Sequence, residues 1–224
     1  MLRGKRGGVR GRETPPPLPP REEREKPLSS MTFRERARYY DELTGVFAIS
    51  RRYFVIGAFD GALTVLGLIL GATGYSDSPS LILAAGFATS VALAVSSTFG
   101  AFEAESVEQD LAHDEIQSAM LRKVGGDKVA AHRFAKVVSS LIHGVAPMVA
   151  GLLPLVPFLL VPGVLAFRQA IAVAAGLTFV FLFVLGAYLG TLTRRNVAVA
   201  GVRLVAVAMA TAAITLLIGG HGVL

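Results

Sequence analysis

Cysteine is absent from the 224 residues, which excludes disulfides and thiolate metal sites and leaves the redox compartment open. Also missing are a G-x-x-x-x-G-K-[ST] nucleotide loop, an H-E-x-x-H pair and a G-x-S-x-G elbow. Primary pumping and membrane hydrolysis therefore lack a motif, and the chain reads as a non-enzyme. Charge is scarce too: 17% of residues are Asp, Glu, Lys or Arg, against 53% hydrophobic, and the mean hydropathy is +0.57. The apolar residues come in long blocks rather than in amphipathic alternation. That is the composition of an integral membrane protein.

Apolar blocks at 53–74, 80–102, 137–162, 170–193 and 197–219 are each long enough to cross roughly 30 Å of hydrocarbon as a helix. The expected fold is an all-α, multi-pass integral membrane protein of five transmembrane helices. The third block is punctuated by Pro154, Pro157 and Pro162, and a broken helix is tolerated only against protein or water, so this span should sit beside a cavity. His143 and Pro147 are expected at its start, where the histidine either gates the span or simply lies at the interface.

The net charge of +6 is a topology signal, not a nucleic-acid footprint. Thirteen of the 22 Lys and Arg precede residue 53, Arg122, Lys123, Lys128, Arg133 and Lys136 lie between the second and third spans, and Arg194 and Arg195 between the fourth and fifth. The loop "GYSDSPS" and the ending "HGVL" carry none. The positive-inside rule then puts the N-terminus and the loops after spans two and four in the cytoplasm, leaving Arg168 on the far side.

Residues 1–30, "MLRGKRGGVRGRETPPPLPPREEREKPLSS", form a basic, Pro-rich tail expected to be disordered. Its plain role is to reinforce topology; contact with anionic lipid or nucleic acid is the alternative. Residues 31–52 mix apolar and charged side chains at helical spacing, as in an amphipathic juxtamembrane helix on the inner leaflet. Spans one and two occupy 53–102, a cytosolic acidic helical segment 103–136, and spans three to five 137–220.

Within the first span, Gly57, Asp60, Thr64, Gly67, Gly71 and Gly74 recur at steps of three and four and share a face. Phe54, Phe59, Leu63, Leu66, Leu68 and Leu70 cover the rest. Gly57, Gly67 and Gly71 read as a close helix-packing stripe, expected to join two copies of the chain. Glycine packing needs no carboxylate. An ionisable side chain at membrane depth costs at least about 2.5 to 3.5 kcal/mol on insertion scales, and such residues usually face a cavity or pathway. Asp60 is therefore read as functional, with a buried structural hydrogen bond as its alternative.

The second span repeats the small-residue stripe through Gly86, Ser90, Ala94, Ser97 and Ala101. If the helix runs on unbroken, the same face continues through Glu105, Glu108 and Glu115, while Glu103, Asp110 and Asp114 form a second acidic stripe. Carboxylates without matching Lys or Arg one turn away repel one another, whereas divalent cations such as Fe(II) or Mn(II) need oxygen ligands. His113 would add a nitrogen ligand. A solvated acidic face is the alternative.

Four stretches in order resemble the vacuolar iron transporter family. "FDGALTVLGLILGATG" is similar to its first-helix D-G…T signature, and "LIHGVAPMVAGLLPLVPFLL" to its third-helix G-x-x-P-L-x-P-F pattern. "GAFEAESVEQDLAHDE" resembles the G-A-Y-x-x-E-x-x-E run of compact members, placing Glu105, Glu108 and Glu115 on the acidic positions. "NVAVAGVRLVAVAMATAAITLLIGG" is similar to the last helix, with Arg203 on its recurrent basic position. Together these cover residues 50–220.

The resemblance implies a homodimer that exports Fe(II), and often Mn(II), from the cytoplasm in exchange for protons, with the metal as substrate and no permanently bound cofactor. The path would run between the two first helices past Asp60, Thr64 and Ser97, and Glu105, Glu108 and Glu115 would capture metal on the cytosolic side. Glu103, Asp110, His113, Asp114 and His143 are further possible contributors. The chain departs from better-known members in three ways. "SSTFGAF" stands where they carry S-M-G-x-G-E, so Ser97 or a neighbour replaces a methionine. The segment after the second span is short, and the N-terminal tail is long and basic. Two readings of other classes stand beside transport: a dimeric membrane scaffold whose acidic helix docks a basic partner, and a membrane enzyme using the carboxylates as a metal site.

Overall fold

A computed structural model describes the backbone of residues 31–120 and 126–220, and the side chains among these except 112–128 and 219–220. The tail at 1–30 therefore lies outside the described residues. By contacts the chain divides into Met1–Arg38 and Tyr39–Leu224. In the first unit, Thr32 and Glu35 form a capping box: the Glu35 N–H donates to Thr32 Oγ1 at 3.4 Å, and the Thr32 N–H donates to Glu35 Oε2 at 2.8 Å. These two bonds open helix α1 (Phe33–Thr44) by satisfying donors that a helix start leaves unpaired.

Gly45 ends α1 in the left-handed region, with φ 65°, a conformation glycine adopts without steric cost. Its N–H donates to the Asp41 carbonyl at 2.7 Å, and the Asp41 carboxylate accepts the Phe47 N–H at 2.9 Å. Asp41 thus caps helix α2 (Val46–Ala72) from the preceding helix. Residues 46–52 consequently belong to the first span, and the juxtamembrane helix expected over 31–52 stops at Thr44.

Among the described residues four further helices follow: α3 (Pro79–Met120), α4 (Gly126–Leu152), α5 (Phe167–Leu192) and α6 (Val197–Gly220), with a 3-10 segment (Leu153–Leu160) after α4. Among the described residues, five helical stretches are long and apolar enough to cross a membrane: Val46–Ala72, Pro79–Leu111, Val129–Leu160, Phe167–Leu192 and Val197–Ile218. Large apolar side chains such as Val95, Phe99, Met209 and Leu217 stand exposed along α3 and α6. So much apolar surface fits a hydrocarbon solvent rather than water. The chain is an all-α, multi-pass integral membrane protein.

Pro154 and Pro157 place the third span's break where the sequence suggests, tightening the chain into the 3-10 turn. Pro147 and His143 do not begin the span, however. α4 starts at Gly126, so both lie well inside the helix, because the charged residues at 128–136 are carried on the same helix rather than in a loop. A proline there supplies no N–H, so the carbonyl of His143 loses its helical donor.

Helix α2 is central: it contributes to each apolar cluster of the described core, and half of its apolar stretch is buried, as is half of the Val129–Leu160 stretch, against 17% for α3 and α6. Val55, Ala58 and Ala62 of α2 meet Ala146 and Ala150 of α4, Leu182 and Leu185 of α5, and Ala208 of α6. Nearer the other end, Val65 and Ile69 join Ile82, Leu155, Phe158, Ala170 and Ala174. Alanine dominates the first cluster because lipid offers no hydrophobic drive between helices. Close van der Waals contact has to supply the association.

Candidate functional site

Asp60 lies at the middle of α2 and is exposed on the surface of the single chain. It has no hydrogen bond or ion pair to any other described residue. The buried face of α2 is the neighbouring one. A Cβ on Gly57 would stand 2.8 Å from the His143 carbonyl and from Pro147 Cδ, and one on Gly61 would overlap the Pro147 backbone. Gly57 therefore packs against α4 of its own chain, which corrects the expectation that it faces a second copy. Its step of three from Asp60 turns it toward the core. Gly67 and Gly71 are half-buried, with Thr215 of α6 as their nearest neighbour at 3.8 and 3.4 Å from an added Cβ. Thr64 is half-buried beside them.

Seven residues before Asp60, two helical turns and about 10 Å along the axis, stands Tyr53 on the same side of α2. Its hydroxyl donates to Glu105 Oε1 of α3 at 2.9 Å. Its ring lies 4.9 Å from that of His143 on α4, tilted by 52°. Its carbonyl oxygen is 3.1 Å from His143 Nδ1. A carbonyl can only accept, so Nδ1 carries the proton in this contact. The Arg52 guanidinium sits 5.5 Å from the centre of the same ring. Tyr53 thus gathers residues of α2, α3 and α4 at one level.

α3 runs without a break from the membrane stripe into the acidic stretch, and polar ties hold one of its faces to α4. Lys136 donates to Ser106 Oγ at 3.1 Å and lies 4.4 Å over the Phe102 ring, while Gln109 donates to the His132 carbonyl at 3.0 Å. Glu105 is half-buried on this inner side; Glu103, Glu108 and Asp110 are exposed. The single ladder expected through Glu105 and Glu108 is thereby divided, because a step of three turns Glu108 outward. Among the described residues no three His, Asp or Glu side chains gather closely enough to hold a metal ion. The side chains of His113, Asp114 and Glu115 lie outside the described residues.

The small-residue stripe of α3 is used within the chain. Ser90 is fully buried and bonds to the Gly86 carbonyl at 2.8 Å, and Gly86 faces Leu155. Ser97 is half-buried. Sequence reasoning missed Tyr53 and Lys136. The step of seven from Tyr53 to Asp60 was a signal for the first; nothing in the spacing of α4 marks the second.

The chain matches the profile described as the VIT family over residues 51–123 and 112–220. It is also 34% identical over 171 residues to a protein of Methanocaldococcus jannaschii named "Uncharacterized protein MJ0645", an alignment covering 75% of this chain and 87% of that one.

Proposed function

Since the chain belongs to the vacuolar iron transporter family, a family of membrane metal-ion transporters, we propose that it exports Fe(II), and Mn(II) as a second substrate, from the cytoplasm in exchange for protons. The observation that carries this reading is Asp60: a carboxylate at the midpoint of an apolar helix, exposed and unpartnered among the described residues. Facing lipid, it would carry the insertion cost of about 2.5 to 3.5 kcal/mol with nothing to offset it. A second copy placed against this face covers the carboxylate and encloses a polar path between two α2 helices. The partly open positions Thr64, Gly67 and Gly71 on the same side leave room for that approach.

The distribution of Lys and Arg supports an N-terminus in the cytoplasm, so Tyr53 and Glu105 lie at the cytoplasmic mouth and Asp60 two turns inside. Metal is drawn first to the exposed Glu103, Glu108 and Asp110 of α3. It passes to Glu105 and then to Asp60, with Ser97 in place of the family's methionine. Oxygen ligands without thiolates suit Fe(II) and Mn(II) better than soft metals. A carboxylate at Asp60 holds either a proton or a share of a cation, so exchange requires no further group. Reconstituted protein should accumulate Fe(II) and Mn(II) more than Zn(II), faster with an opposing proton gradient. Equal rates with and without that gradient would remove the exchange step from the proposal.

A further inference from the structure

We propose that Tyr53 is a positioning residue for metal capture, its hydroxyl orienting the Glu105 carboxylate and His143 fixing Tyr53 in turn. The proposal rests on the transport reading above. Three contacts converge on this one side chain and its carbonyl: the 2.9 Å bond to Glu105 Oε1, the 4.9 Å ring contact with His143, and the 3.1 Å bond from His143 Nδ1. A phenol on Oε1 restricts the carboxylate to one orientation and leaves Oε2 for a cation. Ligating carboxylates are commonly held by such outer partners.

The chemistry of the donor matters. A Lys or Arg at the same distance would cancel the charge that attracts the metal, whereas a neutral phenol orients the carboxylate without competing for it. The nearby ammonium of Lys136 is turned instead to Ser106 and the Phe102 ring. Glu105 has no Lys or Arg partner among the described residues. Glu103, Glu108 and Asp110 are exposed and have no comparable tie among those residues. Glu105 is thus the described carboxylate of α3 that a side-chain donor holds, and that donor, Tyr53, stands two turns from Asp60 along α2.

Tyr53→Phe deletes the hydroxyl and keeps the ring contact with His143, so it separates orientation from packing. The test is Mn(II) titration of purified protein alongside proteoliposome flux, for wild type, Tyr53→Phe, Glu105→Gln and the double variant. Tyr53→Phe should weaken Mn(II) binding about 10 to 100-fold and raise the half-saturating concentration for flux equally, with the maximal rate retained. The double variant should bind no more weakly than Glu105→Gln, because the hydroxyl acts only through that carboxylate. The chain contains no tryptophan, so the near-ultraviolet spectrum reports tyrosine. Mn(II) should shift it in wild type and not in Tyr53→Phe or Glu105→Gln. Unchanged binding in Tyr53→Phe, additive losses in the double variant, or unfolding of Tyr53→Phe would each overturn the proposal. Failure of wild type to transport, with the binding pattern intact, would instead overturn the transport reading.

Discussion

Pro147 of α4 occupies the notch that Gly61 leaves on α2: a Cβ on Gly61 would lie 2.5 Å from the Pro147 Cα. The contact is backbone against backbone, so no side-chain rearrangement relieves an added atom. It brings the central helix and the proline-broken helix together at the level of Asp60, and it fixes which face of α2 turns away from the core.

Gly61→Val should therefore prevent α2 from seating on α4, at a cost of about 1 to 3 kcal/mol or more. Gly67→Ala should be tolerated, since its nearest neighbour is Thr215 Oγ1 at 3.8 Å. Melting temperature and the yield of monodisperse protein in detergent distinguish the two. Equal behaviour would mean that the α2–α4 contact is not as close as described.

Asp41→Ala removes the acceptor of the Phe47 N–H at the start of α2. Loss of such a cap costs about 0.5 to 2 kcal/mol, and the effect should be local. Hydrogen exchange at residues 46–49 should accelerate while exchange in α5 stays unchanged. Protection unaltered at Phe47 would show that the cap contributes nothing.

The absence of cysteine makes single introduced thiols clean reporters of assembly. Thr64→Cys, beside Asp60 on the open face of α2, should cross-link two copies under mild oxidation. Val95→Cys, 65% exposed on the outer face of α3, should not. The reverse pattern would place α2 on the perimeter and refute the proposed path.

Glu105→Gln should weaken Mn(II) binding more than Glu108→Gln. Glu105 is half-buried and held by Tyr53, whereas Glu108 is exposed, with its charge screened by water and salt. Calorimetry on both variants gives the comparison. An equal or inverted order would mean that the outward acidic surface, not the inner carboxylate, sets affinity.

The five spans were legible because each is a run of apolar residues longer than any soluble helix needs, and the 3-10 turn because Pro154 and Pro157 deny α4 its donors. Asp60 was legible as the one acidic residue in its apolar block. The orientation of the glycines was not. Gly57 and Gly67 satisfy one helical repeat, but which of them meets the chain's own α4 depends on Pro147, some ninety residues away in sequence. The same holds for Glu105 and Glu108, adjacent on a helical wheel and separated in burial by the packing of α2 and α4. Tyr53 was overlooked for a related reason. At the edge of an apolar block it resembles an interfacial anchor, and its partners lie on two other helices.

Asp60→Asn tests the central claim most directly, because it keeps the size and shape of the side chain and removes its charge. In proteoliposomes loaded to measure Fe(II) and Mn(II) flux, with Mn(II) binding followed on the same preparation, the variant should lose transport while binding at the α3 carboxylates survives. Flux at the wild-type rate through Asp60→Asn would contradict the assignment of Asp60 to the path.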